Sequence, residues 1–266
     1  MPFCVPVSEV FRCCEASLLP LVDAVVYKDP TAVDRGYEDR VKMLESSLNL
    51  AAADFPEQAV ASGFAAALQS DRFTSFSCDL GPFCRAYDVG RSANGYPRYL
   101  PAGAQMPAAE VAGRCRDNLA FLRGIFAGQV EVENLNYFPT GAYEGACEPE
   151  IIAGLVRDED LGLALDLGHA IISADHMGVA IGDYLQRLPL ERVRGIHLSG
   201  PRTIGGELED AHDAPGEREY ALLDYLLART PDPYLTVEHY ADGDALVAAY
   251  RRLRGMLARA EVGRGG

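Results

Sequence analysis

Residues 161–169 read LGLALDLGH, and this stretch decides the fold. Residues two apart on a β-strand share a face, so the four leucines lie on one face and Gly162, Ala164 and Asp166 lie on the other. The leucines are expected to pack outward against helices. The smaller residues then face the interior of a barrel, and the Asp166 carboxylate lies near its mouth.

Apolar runs of this kind alternate with amphipathic helical stretches along the whole chain, which predicts parallel strands joined by helices. The predicted strands span about residues 3–9, 22–27, 41–49, 73–80, 129–135, 161–167, 193–199 and 234–239. The helical stretches include 56–69, 107–126 and 217–229. The pattern predicts an α/β fold, a (β/α)8 TIM barrel with its active site at the carboxyl ends of the strands. We expect one domain over residues 1–266, with 81–106 as a candidate lid.

The composition is that of an ordinary globular protein, with 48% hydrophobic and 24% charged residues. A net charge of −15 repels a phosphate backbone, so nucleic acid is not an expected partner. Apolar runs stay below the roughly 18 residues of a membrane span and the N-terminus lacks a signal-peptide pattern, so no membrane association is expected. Seven cysteines without a CxxC motif favour reduced thiols in a cytoplasm over a disulfide framework.

Histidines and acidic residues recur together at the predicted strand ends. Imidazole nitrogens and carboxylate oxygens are ligands that zinc, iron and manganese share. The two-residue period places these side chains on the small or polar face of each strand, as for His197 between Gly195 and Ser199. This arrangement predicts one multinuclear metal site. The series consists of Glu133, Asp166, His169, His176, His197, Asp210, His212 and Glu238.

Three segments carry a resemblance to a known family: DYLQRLPLERVRGIHLSG (183–200), DAHDAPGEREYALLDYLL (210–227) and LTVEHY (235–240). Over nearly its full length the chain is similar to the multinuclear non-haem iron-dependent oxidases, typified by the methanobactin-biosynthesis oxidase. The resemblance implies a xylose-isomerase-like barrel with two or three irons. It also implies the use of oxygen to modify cysteine or other residues of a ribosomally made peptide, often with a separate peptide-recognition partner protein.

The resemblance also implies which residues bind the metal. Carried over residue by residue, it makes seven side chains metal ligands, and His176 is a weaker candidate. At two positions where a histidine is usual, the nearest matches are Glu45 in LESSLNL and Asp79 in SCDL. These carboxylates make one metal position harder, which favours magnesium or manganese there or leaves it empty. The seven are Glu133, Asp166, His169, His197, Asp210, His212 and Glu238.

The order of the ligands is also similar to that of the endonuclease IV-type AP endonucleases, which bind three zinc ions. The same ligands are therefore compatible with other functions. One alternative is a zinc or manganese phosphodiesterase, or a sugar isomerase or epimerase of the same superfamily. Another is a degenerate, non-catalytic barrel that binds a partner, suggested by Glu45 and Asp79. The sequence between the ligands favours the oxidases. No catalytic residue is assigned beyond the ligands, and no organic cofactor is expected.

Overall fold

The computed structural model describes residues 1–31, 37, 39–92 and 95–264. Within them, eight parallel strands close into a barrel, and neighbouring barrel strands follow one another along the chain. Two antiparallel hairpins lie outside the barrel, each inserted between two consecutive barrel strands. The strands are β1 (Phe3–Pro6), β2 (Ala24–Tyr27), β3 (Val41–Asn49), β4 (Ser75–Asp79), β5 (Tyr87–Arg91), β6 (Pro97–Pro101), β7 (Gln129–Glu133), β8 (Gly162–Asp166), β9 (Val193–Leu198), β10 (Gly200–Ile204), β11 (Glu207–Asp213) and β12 (Tyr234–Val237). The hairpins are β5–β6 and β10–β11, and the other strands form the barrel. The predicted (β/α)8 barrel and its eight strands are confirmed.

In the part of the chain that the structure describes, helices follow every barrel strand except β2. They are α1 (Glu9–Leu18), α2 (Phe55–Ala61), α3 (Phe64–Leu68), α4 (Ala108–Ile125), α5 (Pro149–Asp158), α6 (Leu167–His176), α7 (Ile181–Arg187), α8 (Glu217–Leu227) and α9 (Gly243–Arg264). The helical stretch predicted over 56–69 divides into α2 and α3, because Gly63 adopts a φ of 85° and separates the two helices. Among the described residues, none of the helices combines the length and apolar character that a bilayer crossing needs.

The outward faces of the barrel strands form the main hydrophobic core. Leu163 and Leu165 of β8 and Ile196 of β9 are fully buried there. Burying one such side chain contributes about 1.5–3 kcal/mol relative to leaving it in water. Because these residues must face the helices, their neighbours on the same strands must face the barrel axis. Packing on the outside therefore decides which residues line the inside.

Tyr234 lies inside the barrel near its amino-terminal end, where it packs against a small cluster of buried residues: Cys4, Ala24, Val26 and Met43. A Cβ atom built on Gly195 would lie 2.1 Å from Cζ of Tyr234, so the glycine makes room for the ring. The Tyr234 hydroxyl donates a hydrogen bond of 2.8 Å to the carboxylate of Glu131, which is buried beside it. The small residues on the inner face thus leave room for the Tyr234 ring below the mouth of the barrel.

Replacing Gly195 with alanine tests this packing. We expect Gly195→Ala to lower the free energy of unfolding by about 1–3 kcal/mol, because the added methyl group overlaps the Tyr234 ring. Gly154→Ala in α5 is the matched control, since its Cβ would meet nothing within 4 Å. Alanine is the better helix former, so this control should gain about 0.5–1 kcal/mol. Urea unfolding measures both, and equal stabilities would contradict the proposed packing.

Candidate metal centre

The predicted metal ligands on the barrel strands meet at one mouth of the barrel. Glu133 and Asp166 are the last residues of β7 and β8, and Glu238 directly follows β12. His197 pairs in register with Asp166 on one side and with Thr236 on the other. Closure of a parallel barrel brings the carboxyl ends of all strands to the same rim, and this is where the polar side chains gather.

The spacing of Asp166 and His169 follows from a helix cap. Asp166 is the N-cap of α6, and its Oδ1 accepts a hydrogen bond of 2.6 Å from the backbone N–H of His169. The carbonyl oxygen of Asn134 lies 2.9 Å from Nδ1 of His169, while Nε2 lies 3.4 Å from Asp210. The cap thus holds the carboxylate and the imidazole on the same side of the mouth.

Asn134 is a positioning residue that the sequence analysis did not single out. Its side-chain amide donates to the backbone oxygen of Asp166 at 3.0 Å and accepts from the Asp166 N–H at 2.9 Å. The residue therefore fixes the end of β8 relative to β7 and orients His169 through its own carbonyl group. Partners of this kind set the ring orientation of a metal-binding histidine.

Asp210 and His212 reach the mouth from the hairpin β10–β11. His212 has a φ of 48°, in the left-handed region that is uncommon for residues other than glycine. Two contacts hold it: its Nε2 lies 3.1 Å from Oε2 of Glu238, and its carbonyl oxygen lies 2.8 Å from Nδ1 of His239. Asp210 lies 3.4 Å from both His169 and His212. The hairpin therefore closes the ring of side chains that the barrel strands begin.

Within this ring, three groups of side chains place candidate ligand atoms within 4.8 Å of one another. The first is Glu133, Asp166 and His169; the second is Asp166, His197 and Glu238; the third is Glu45, Glu133 and His197. Asp79 pairs in register with Glu133 and lines the same cavity. Of the ligands predicted from the sequence, all except His176 thus lie together at the mouth.

His176 lies apart from this cluster. It is the last residue of α6, two helical turns after His169, which moves it about 10 Å along the helix. Its Nδ1 lies 2.7 Å from the carbonyl oxygen of Tyr137, and its ring packs against Phe138. No metal-ligating group found among the described residues contains it. The structure gives His176 a contact with a loop instead.

At the mouth, the imidazoles and the carboxylates each stabilise the charged form of the other. Burial lowers the pKa of His197, but the Glu133 carboxylate outweighs this effect and raises that pKa to about 10. Burial likewise raises the pKa of Glu133, yet His197 and His169 bring it below its ordinary value. The pKa of Asp166 is raised to about 6, chiefly by burial. Without a metal, the carboxylates therefore favour the protonated form of the imidazoles, and the site favours positive charge.

Lys28 supplies a further positive charge that the sequence analysis missed. Its Nζ lies 2.7 Å from Oε1 of Glu45 and 2.8 Å from Oε1 of Glu238. Burial lowers the pKa of Lys28, but Glu238 and Glu45 outweigh it and raise the pKa well above its usual value. The period-two signal was present in the sequence, because Lys28 continues the inward face of Ala24 and Val26.

The donor atoms fit a divalent metal ion. Within the described part of the chain, the buried atoms of the cluster without a hydrogen-bond partner include Oε2 of Glu45, Oδ2 of Asp166, Nδ1 of His197 and Nδ1 of His212. Buried polar atoms without partners are costly, and a bound cation satisfies them. The three groups contain imidazole and carboxylate donors and no thiolate, a set that suits iron, manganese and zinc.

A cavity of about 190 Å³ opens over the cluster. Tyr96, Pro97 and Tyr99 line it, so the segment predicted as a candidate lid, 81–106, forms part of its wall. Within that segment the hairpin β5–β6 is docked by Arg98, which binds Glu207 at 2.9 Å and Glu209 at 2.8 Å on β11. The two hairpins together form a rim around the entrance.

Solved structures similar to this chain share its barrel. A xylose isomerase domain-containing protein from Salmonella typhimurium superposes with a TM-score of 0.67 at 11% identity, over 97% of both chains. Endonuclease IV from Thermus thermophilus superposes with a TM-score of 0.62 at 18% identity, over 97% of this chain and all of that one. At these identities the similarity establishes the xylose-isomerase-like fold.

Sequence relatives establish the family. A UPF0276 protein of Caulobacter sp. strain K31 is 31% identical over 204 residues, which cover 73% of this chain and 71% of the relative. Some other curated relatives are matched over less than half of their own length. Residues 106–256 match the model of a family described as "RiPP precursor modification enzyme MbnB/TglH/ChrH", where RiPP denotes a ribosomally made, modified peptide. The resemblance inferred from the motifs is thus confirmed, and the chain belongs to this family of RiPP precursor modification enzymes.

Proposed function

We propose that this protein is a multinuclear non-haem iron-dependent oxidase that modifies cysteine residues of a ribosomally made precursor peptide. Membership of a family that modifies such precursors supports a peptide substrate. The observation that carries the proposal is that Asp166 belongs to two metal-ligating groups at once. A carboxylate shared by two groups is suited to bridging two metal ions, which a multinuclear centre requires.

Two neighbouring positions are proposed for the metal ions. Glu133, Asp166 and His169 form the first, with Asp210 adjoining it, and the second consists of Asp166, His197 and Glu238, with His212 adjoining it. Each position has four residues around it, fewer than the six donors that an octahedral ion takes. Bound ferrous iron would supply electrons for the reduction of oxygen. The protein keeps coordination positions open and holds the ligands through Asn134 and His239.

The size of the cavity supports a side chain as the group that reacts. Its volume of about 190 Å³ is below the roughly 300–1,000 Å³ of typical small-molecule pockets. A cysteine side chain fits this space, and its thiolate is a metal ligand. The rest of the peptide would lie across the rim, where Tyr96 and Tyr99 offer aromatic surface. We propose that a separate peptide-recognition partner protein holds the remainder of the precursor.

The same chemistry favours a reducing compartment. All seven cysteines are free, and Cys4, Cys78, Cys84, Cys115 and Cys147 are buried. Cysteines that remain unpaired are typical of cytoplasmic proteins. A cytoplasmic location would also keep both the iron and the thiol of the peptide in their reduced forms.

Iron binding by histidine variants tests the metal centre. The protein, purified and loaded with Fe²⁺ without oxygen, is expected to retain iron after gel filtration, as measured by mass spectrometry of the metal. His197→Ala should weaken iron binding by more than about 100-fold, because it removes a proposed ligand rather than an outer partner. His176→Ala is the matched control and should retain the wild-type iron content, since His176 lies outside the groups. Equal iron contents in the two variants would contradict the proposed ligands.

Oxygen uptake tests the oxidase activity. With a cysteine-containing candidate precursor peptide, the ferrous protein is expected to consume oxygen and to change the mass of the peptide. The same peptide with serine in place of cysteine should do neither, because a hydroxyl group is a poor replacement for a thiolate ligand. Protein loaded with zinc should consume no oxygen. Metal-dependent turnover of a phosphate ester or a sugar by zinc or manganese protein, without oxygen uptake, would overturn the proposal in favour of a hydrolase or isomerase.

A further inference from the structure

The three metal-ligating groups are not independent of one another. Glu133 belongs to the first and third groups, and His197 belongs to the second and third. Glu45 is the one member of the third group that belongs to neither of the other two groups. If the first two groups each hold a metal ion, Glu133 and His197 already bind those ions. A third ion would then have Glu45 as the one ligand of its group that no other ion uses.

Glu45 is held by an ammonium group. Nζ of Lys28 lies 2.7 Å from Oε1 of Glu45, and it bridges to Oε1 of Glu238 at 2.8 Å. These are the distances of charge-assisted hydrogen bonds. The carboxylates are almost fully buried, with 7% of Glu45 and 2% of Glu238 exposed, whereas 43% of the Lys28 side chain is exposed and its ammonium reaches inward to them. A divalent ion bound to Glu45 beside this ammonium would be repelled by it.

We propose that the Lys28 ammonium takes the place of a third metal ion at Glu45, so that the centre binds two divalent ions per chain. The inference rests on the proposed metal centre and specifies its composition. Among the described residues, six carboxylates surround the mouth: Glu45, Asp79, Glu133, Asp166, Asp210 and Glu238. Two divalent cations and one ammonium neutralise most of their negative charge. Lys28 also lines the cavity, so its fixed charge stays beside the substrate without adding a redox-active ion.

Metal stoichiometry in lysine variants tests this inference. The wild-type protein, saturated with Mn²⁺ or Fe²⁺ without oxygen, is expected to bind two ions per chain. Lys28→Met should bind three, because it removes the ammonium and leaves Glu45 free to accept a cation. Lys28→Arg retains the positive charge and should bind two. Lys28 and Lys42 are the only lysines in the sequence, so Lys42→Met is a matched control and should also bind two.

The outcomes separate this inference from the proposed function. Three ions in the wild-type protein, or two in folded Lys28→Met, would overturn the role of Lys28 and leave the metal centre in place. No ion in the wild-type protein would overturn the metal centre itself, and the inference with it.

A second measurement on the wild-type protein covers the case in which Lys28→Met does not fold. Acetylation of Lys28, followed by mass spectrometry with Lys42 as the internal reference, reports whether the ammonium leaves its carboxylates. The rate at Lys28 should be the same in metal-free and metal-saturated protein. A faster rate on saturation would show that a metal ion displaces Lys28, and the inference would then be wrong.

Discussion

The alternation of residues on the barrel strands is the constraint on which the site depends. Leu163 and Leu165 lose contact with water only if they face the helices, and their burial leaves Asp166 no direction but the barrel mouth. The hydrophobic free energy of the outer layer thus offsets the cost of placing carboxylates in a buried interior. A shift of one residue in register would expose the leucines and remove the ligands together.

Much of this arrangement was predictable because it follows from a period of two. The eight strands and the inward faces of β8, β9 and β12 could be read from sequence, and closure of the barrel then brought Glu133, His197 and Glu238 to one rim. His176 was misplaced because it resembles its neighbours in type but lies on a helix, where two turns carry it away. Lys28 was missed because its partners are separated from it in sequence, Glu238 by 210 residues, and no local pattern pairs them.

Crowded acidic groups explain the remaining electrostatic features of the mouth. Burial alone would push the protons back onto the carboxylates, yet Glu133 and Glu238 have lowered pKa values because cationic side chains face them. In the absence of a metal ion, the imidazoles and the Lys28 ammonium thus provide the positive charge that balances the buried carboxylates. The barrel that carries this pocket belongs to a family of enzymes that modify ribosomally made peptides.

The hairpin β5–β6 differs from the rest of the mouth in how it is attached. It lies outside the barrel, contributes aromatic wall to the cavity and supplies none of the three metal-ligating groups. Its docking combines the ion pairs of Arg98 to the acidic residues of β11 with the packing of Tyr99 against the hydrophobic core. Because the described residues of this hairpin belong to none of the metal-ligating groups, substitutions there can change the shape of the entrance while the ligand set beneath it stays intact.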